Sequence, residues 1–243
     1  MLRSEVIAER KVLRTLPEQI AEDLGAQIAS GLLAGNERLR EVEIAERYGV
    51  SRAPVREAIR LLARRGFVDF TPRRGAFARE FSLEMMADLF DITGVLVGLA
   101  ARYTSVLAPP ATLDRVGELV KQVETMSELP ECEPDAFSSA SWRVALFIGR
   151  NCGSPSVASL IDQHFQETAW GTLWRRIIPD FRSQDRRRGV AALNRQRLEA
   201  LRAGDGALAE QISRDLTREA RDQALLALAA QRGLEFDRRR LEL

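Results

Sequence analysis

Residues 51–64, SRAPVREAIRLLAR, sort their side chains cleanly once they are wound into a helix. With Arg52 set at 0° and an advance of about 100° per residue, Arg56, Arg60 and Arg64 fall at about 40°, 80° and 120°. Leu61, Ala58, Leu62, Val55 and Ile59 fill the arc from about 180° to about 340°, so one side is cationic and the other apolar. The apolar arc must pack on other elements of the fold. The arginines then project outward, where their charges repel one another unless an anion lies alongside.

The flanking sequence supplies the packing partners. Ile20, Leu24, Ile28 and Leu32 recur every fourth residue and predict a helix over 17–31, with Gly31, Gly35 and Asn36 as stop signals. A second short helix is expected over 41–48, with Val42, Ile44, Ala45 and Tyr48 on its apolar side. YGVS then makes a turn on Gly49, and the Ser51 hydroxyl is placed to cap the arginine helix. Pro54 falls within the first turn, where a backbone donor would be unpaired in any case. Beyond residue 66, GFVDF and GAFARE are β-prone runs joined by TPRRG, which reads as a two-stranded wing. A glycine turn one helix upstream, a helix start bearing Ser, Arg and Ala, and a basic hairpin next door together describe a winged helix-turn-helix. Such a unit puts the start of its third helix in the major groove of double-stranded DNA.

Charge points the same way. The chain of 243 residues has 36 basic and 35 acidic side chains, yet residues 51–78 hold seven arginines and only two acidic residues. A cationic patch on a balanced protein implies one anionic partner at one place.

From about residue 82 the character changes to Ala- and Leu-rich helical segments. They are broken at APPATL, SELPECEPD, NCGSPS, RIIPDF and RAGDG, which leaves six or seven helices and no strands. The expected fold is therefore mainly α, with a winged helix-turn-helix of three helices plus a two-stranded wing over 1–80 and an all-helical bundle over 81–243. No apolar run reaches the roughly 18–20 residues of a membrane span, and the start MLRSEVIAERKVLR does not build a signal core, so a soluble cytoplasmic protein is expected. Cys132 and Cys152 read as reduced structural thiols. No glycine-rich phosphate loop, no nucleophile with a partnering base and no metal cluster is visible, so neither an enzyme nor a cofactor is expected. The triplets in DRRRG (185–189) and DRRRL (237–241) read as solvated surface, Trp142, Trp170 and Trp174 as aromatic core, and His164 takes no assigned role.

The stretch ERLREVEIAERYGVSRAPVREAIRLLARRGFVDFTPRRGAF closely resembles the winged helix-turn-helix of the GntR superfamily of bacterial transcription regulators. The helical remainder is similar to its FadR-type effector domain, often called FCD. The resemblance implies that Ser51, Arg52, Ala53 and Arg56 face DNA and that Arg73, Arg74 and Gly75 form the wing tip at the groove. Arginine chemistry divides the labour further: Arg52 or Arg56 can fork onto guanine, while Arg60 and Arg64 suit phosphates.

FCD domains commonly hold a divalent metal with an Asp and three His. Aligning the family's patterns puts Ser141, Ala145 and Asn194 at three of those positions, with the fourth near Leu216. An arginine and a glutamate common on the domain's first helix align with Thr93 and Val97. None of these residues is a good ligand, and a chain with one histidine cannot supply three. A less polar cavity and a larger or more apolar small-molecule effector are therefore expected, with Thr93, Ser141 and Asn194 as its few polar contacts. The function implied is that of a repressor that binds a palindromic operator as a homodimer and responds to an effector. An enzyme with an accessory DNA-binding head and an effector-free DNA-binding protein are the alternatives.

Overall fold

The first helix is set by its own start. The Thr15 backbone N–H donates to the Glu18 carboxylate at 2.7 Å, and Pro17 occupies the first turn, where its missing donor costs nothing. The computed structural model of the chain describes residues 15–80, 82–167 and 181–233. They fall into two compact units that divide after Glu80.

In the first unit, α1 (Leu16–Ser30), α2 (Glu41–Tyr48) and α3 (Arg52–Arg64) pack around Ile20, Leu24, Ile28, Ile44, Val55, Ala58, Ile59 and Leu62, all buried. α1 stops at Gly31, which takes the left-handed conformation at φ 79°. That reversal corrects one expectation: Leu32 leaves the helical face and is 80% exposed, while Leu33 turns inward instead. Val42 is also exposed, since α2 buries only Ile44 and Ala45. Gly49, at φ 65°, closes α2 and makes the turn into α3.

The hairpin pairs β2 (Val68–Thr71) with β3 (Gly75–Ala78), antiparallel, from Val68 opposite Ala78 to Thr71 opposite Gly75. A third strand, β1 (Arg38–Leu39), pairs with the other edge of β3, giving the order β1-β3-β2. The two-stranded wing expected from sequence thus belongs to a three-stranded sheet. Arg79 grips the Asp69 carboxylate through Nε at 3.0 Å and Nη2 at 2.5 Å, tying the base of the hairpin together.

The second unit is helical throughout its described residues: α4 (Leu83–Leu107), α5 (Pro110–Ser127), α6 (Pro134–Arg150), α7 (Pro155–Glu167), α8 (Gln184–Ala203) and α9 (Gly206–Arg232). Three of the sequence breaks supply the proline that opens the next helix. The Ser82 hydroxyl caps α4 by accepting from the Met85 N–H, and the Asp205 carboxylate caps α9 by accepting from the Leu208 N–H. Val116, Leu119, Val120 and Val123 of α5 meet Phe137, Val144 and Ile148 of α6 and Val190, Leu198 and Leu201 of α8 in one apolar cluster. α9 packs most extensively on α4.

No helix among the described residues is long and apolar enough to cross a membrane. Trp170, Trp174, most of the RIIPDF break and the triplet at 237–241 lie outside those residues.

Candidate nucleic-acid interface and helical cavity

α3 buries Val55, Ala58, Ile59 and Leu62 and turns Arg52, Arg56 and Arg60 outward, with side chains 59%, 51% and 57% exposed. Leu61 is half-buried and Arg64 exposed, as the helical projection requires. The stripe is not bare. Glu41, the first residue of α2, accepts from Arg56 Nε at 3.0 Å, from Arg56 Nη2 at 2.9 Å and from Arg52 Nη2 at 3.1 Å. The Arg56 hydrogen bonds, foremost among several contacts, hold the Glu41 carboxyl below its ordinary range, and the same contact raises Arg56. Arg60 leans on Glu57 at 2.7 Å. Arg56 spends Nε and Nη2 on Glu41, which leaves its other edge able to fork onto a base.

Ser51 ends the turn with extended backbone, and its hydroxyl makes no capping bond, contrary to expectation. The first turn of α3 also holds no acidic residue. An uncapped helix N-terminus presents unpaired N–H groups and positive potential, a setting suited to phosphate rather than to a carboxylate of the protein itself. Ser51 and Ala53 are both exposed there.

At the hairpin tip Arg73 adopts φ 62° and Gly75 φ 103°, with the Arg74 N–H bonded to the Thr71 carbonyl at 3.1 Å. The Arg74 guanidinium lies 5.6 Å from the centre of the Phe77 ring. Arg73, Arg74 and Gly75 are all exposed. β1 adds what sequence reasoning missed: Arg38 sits beside Gly75, close enough that a Cβ there would lie 3.6 Å from its guanidinium. A groove of about 930 Å³ runs between α3 and the sheet, lined by Arg38, Arg40, Arg52, Arg56 and Arg60 against Glu41 and Glu43. The signal for Arg38 and Arg40 was present in ERLRE, and only strand pairing to β3 aims it at the groove.

In the second unit a cavity of about 40 Å³ opens between α6, α8 and α9. Ser141, Ala145 and Leu216 line it; Thr93 and Val97 are buried on α4 and are not among its lining residues. The Thr93 hydroxyl donates to the Leu89 carbonyl at 2.7 Å and lies 2.8 Å from His164 Nε2. Asn194 is fully buried behind the cavity: its amide N–H groups go to the Val190 carbonyl and Ser141 Oγ, and its Oδ1 accepts from Arg197.

Arg197, which sequence reasoning passed over, and Arg186, which it read as solvated surface, line the cavity beside Ser138, Thr217 and Glu219. The cavity is therefore more polar than expected. Burial pushes the Arg197 guanidinium down to about 10, still charged at neutral pH. The triplet at 186–188 is likewise no solvated run: Arg187 is fully buried, donating to the carbonyls of Phe181, Arg182, Leu129 and Pro130. Among the described residues no three His, Cys, Asp or Glu side chains converge to hold a metal. A hydroxyl, a methyl, an amide and an isobutyl group beside two guanidinium groups do not fit a divalent cation.

Residues 16–78 match the family described as bacterial regulatory proteins, gntR family, and residues 88–219 match the FCD domain, more than half of the chain. The chain belongs to the gntR family of bacterial regulatory proteins. It is a transcription regulator of that family in which a helix-turn-helix unit is joined to an FCD domain. Among its gntR-type relatives, an uncharacterised HTH-type transcriptional regulator of Mycobacterium tuberculosis (strain H37Rv) is 23% identical over 192 residues, covering 76% of this chain and 75% of its own. The HTH-type transcriptional repressor RspR of Escherichia coli (strain K12) is 38% identical over 66 residues, 27% of this chain and 29% of its own. The fold is shared with the solved structure of Lar, which controls the Listeria monocytogenes agr system, at TM-score 0.63 and 22% identity over 87% of this chain and 97% of that one. It is shared too with E. coli McbR/YncC, at TM-score 0.57 and 21% identity over 90% and 100%.

Proposed function

We propose that this gntR-family regulator binds double-stranded operator DNA as a homodimer, represses transcription there, and changes its grip on DNA when a small-molecule effector enters the FCD-matched unit. The observation that carries the reading is the groove between α3 and the sheet, where five arginines face one side of the unit. In it, Arg52 and Arg56 read base edges, Arg60 lies on phosphate, Ser51 and Ala53 approach the groove floor at the helix start, and Arg73, Arg74 and Gly75 follow the neighbouring backbone. Residues 1–80 act as the DNA-binding domain and 81–243 as the domain of effector binding and dimerisation. One winged helix reaches few base pairs, so two copies related by a two-fold axis match a palindrome. The effector acts by binding one arrangement of the two DNA-binding heads more tightly than the other.

Selection from a randomised duplex library with the full chain tests this, combined with sedimentation of the selected complex. The expected result is a two-fold symmetric motif bound by two copies. A motif without symmetry, or one copy per duplex, overturns the dimeric reading; failure to enrich any motif overturns sequence-specific binding.

A further inference from the structure

Four of the five arginines that line the groove of the first unit meet a carboxylate of their own chain. Arg40 reaches Glu43 at 2.8 Å, Arg52 and Arg56 share Glu41 at 3.1 and 2.9 Å, and Arg60 reaches Glu57 at 2.7 Å. Arg38 is the fifth. It is exposed, and among the described residues its guanidinium has no carboxylate and no hydrogen-bond acceptor.

The short strand dictates where that charge points. Leu39, 5% exposed, fixes β1 in the core, and side chains alternate along a strand, so Arg38 stands on the opposite, outer face. It lies across from Phe77, and directly opposed residues share a face. The same Phe77 ring has the Arg74 guanidinium 5.6 Å from its centre. Arg38 Nε and Nη2 each lie 3.6 Å from where a Cβ of Gly75 would stand, so no side chain separates β1 from the hairpin turn. Arg73 and Arg74 of that turn also hold no ion pair among the described residues. Uncompensated cations from two separate parts of the chain thus gather at one end of the sheet.

The backbone under Arg38 is tied on both sides of Leu39. The Asn36 N–H donates to the Ala78 carbonyl and the Ala78 N–H to the Glu37 carbonyl, both at 2.8 Å, which continues the pairing of β1 with β3. Arg38 therefore gives up no backbone freedom on meeting a ligand. A phosphate arriving there displaces no carboxylate of the protein, whereas one arriving at Arg52 or Arg56 competes with Glu41.

We propose that Arg38 anchors a backbone phosphate of the DNA beside the hairpin tip, a sequence-independent contact made from β1 and separate from the arginine face of α3. The contact adds affinity for every duplex alike and leaves the choice of sequence to α3. This rests on the DNA-binding reading and adds to it a residue outside both the helix-turn-helix and the hairpin.

The test uses the full chain, with a duplex selected by the wild-type protein and a scrambled duplex of equal length, each titrated from 50 to 200 mM salt. Arg38→Gln keeps the reach of the side chain and removes its charge. It should weaken both duplexes by the same factor and flatten the plot of log K against log salt by about 0.9, so that the affinity lost across this salt range shrinks about three- to fourfold relative to wild type. Arg38→Lys should keep the wild-type slope. Because the residue is exposed and unpaired, the unfolding midpoint of either variant should shift by no more than about 3 °C. Duplexes carrying a neutral methylphosphonate at one position at a time then locate the contact: at one phosphate or more, the replacement should weaken wild type and leave Arg38→Gln unaffected. An unchanged salt slope in Arg38→Gln overturns the proposal, as does a loss confined to the selected duplex, or the absence of any methylphosphonate position whose effect the substitution abolishes. Each of these requires that wild type bind the duplex; a wild-type chain that binds no duplex overturns the DNA-binding reading itself.

Discussion

Glu41→Gln separates holding an arginine from merely neutralising it. The wild-type carboxylate takes three hydrogen bonds at 2.9–3.1 Å from Arg52 and Arg56. It also places a negative charge on a surface proposed to meet phosphates. Both arginines are more than half exposed, so the pairs contribute little to folding, and the variant should lose under about 1 kcal/mol of stability. Two opposite effects on DNA follow. Removing one negative charge strengthens binding to any duplex by about one counter-ion's worth, steepening the plot of log K against log salt by about 0.9. Releasing the two guanidinium groups from a fixed orientation weakens base reading, where each well-placed bidentate contact carries about 1–3 kcal/mol of discrimination. Non-specific affinity should therefore rise while the ratio of specific to non-specific affinity falls about 10- to 100-fold. Fluorescence anisotropy with a library-selected duplex and a scrambled duplex of equal length, each at several salt concentrations, reads both quantities. If both affinities change by the same factor, Glu41 only screens charge and the orientation argument is refuted.

Arg60→Ala should weaken binding about equally for selected and scrambled duplexes and flatten the salt slope by about 0.9, as expected of a phosphate contact; a sequence-dependent loss would assign it to a base instead. Burial lowers the pKa of His164, so the folded protein keeps it neutral below the usual histidine range while the unfolded chain takes up a proton. Its contribution is fully present above about pH 6.5 and is lost as pH falls towards the folded-state value; because the chain has one histidine, a single imidazole proton resonance reports the titration, and a midpoint at or above about 6.5 contradicts the burial argument. Asp91→Asn takes one of two carboxylates from buried Arg221 and should cost about 1–2 kcal/mol in urea unfolding of the full chain, Asp222 remaining in place; no change would show that Asp222 suffices.

The DNA-facing half was legible because α3 separates its charges from its apolar residues so completely that only one orientation buries a core. Its neighbours were legible to within a residue or two, through Gly31 and Gly49. β1 was not, because two residues carry no periodicity and only the free edge of β3 makes Arg38–Leu39 a strand. Leu32 misled for a related reason: its spacing continues the helix, but the left-handed Gly31 turns the chain away first. In the helical unit the missed residues did leave a trace. Arg187, Val190, Asn194, Arg197 and Leu201 follow a three-four spacing that puts them on one face of α8, so two arginines fall among residues that must be buried. Treating arginine as solvent-facing hid that pattern. Thr93 and Val97, assigned by alignment to a metal-binding family, instead occupy the buried face of α4, where no spacing rule distinguishes a cavity wall from a helix contact.

The most direct test is the affinity of Arg56→Ala for a duplex selected by the wild-type protein, measured across salt concentrations beside a scrambled duplex. The account predicts a loss of about 1–3 kcal/mol on the selected duplex and a much smaller loss on the scrambled one. Unchanged affinity for the selected duplex would contradict the claim that the arginine face of α3 reads DNA.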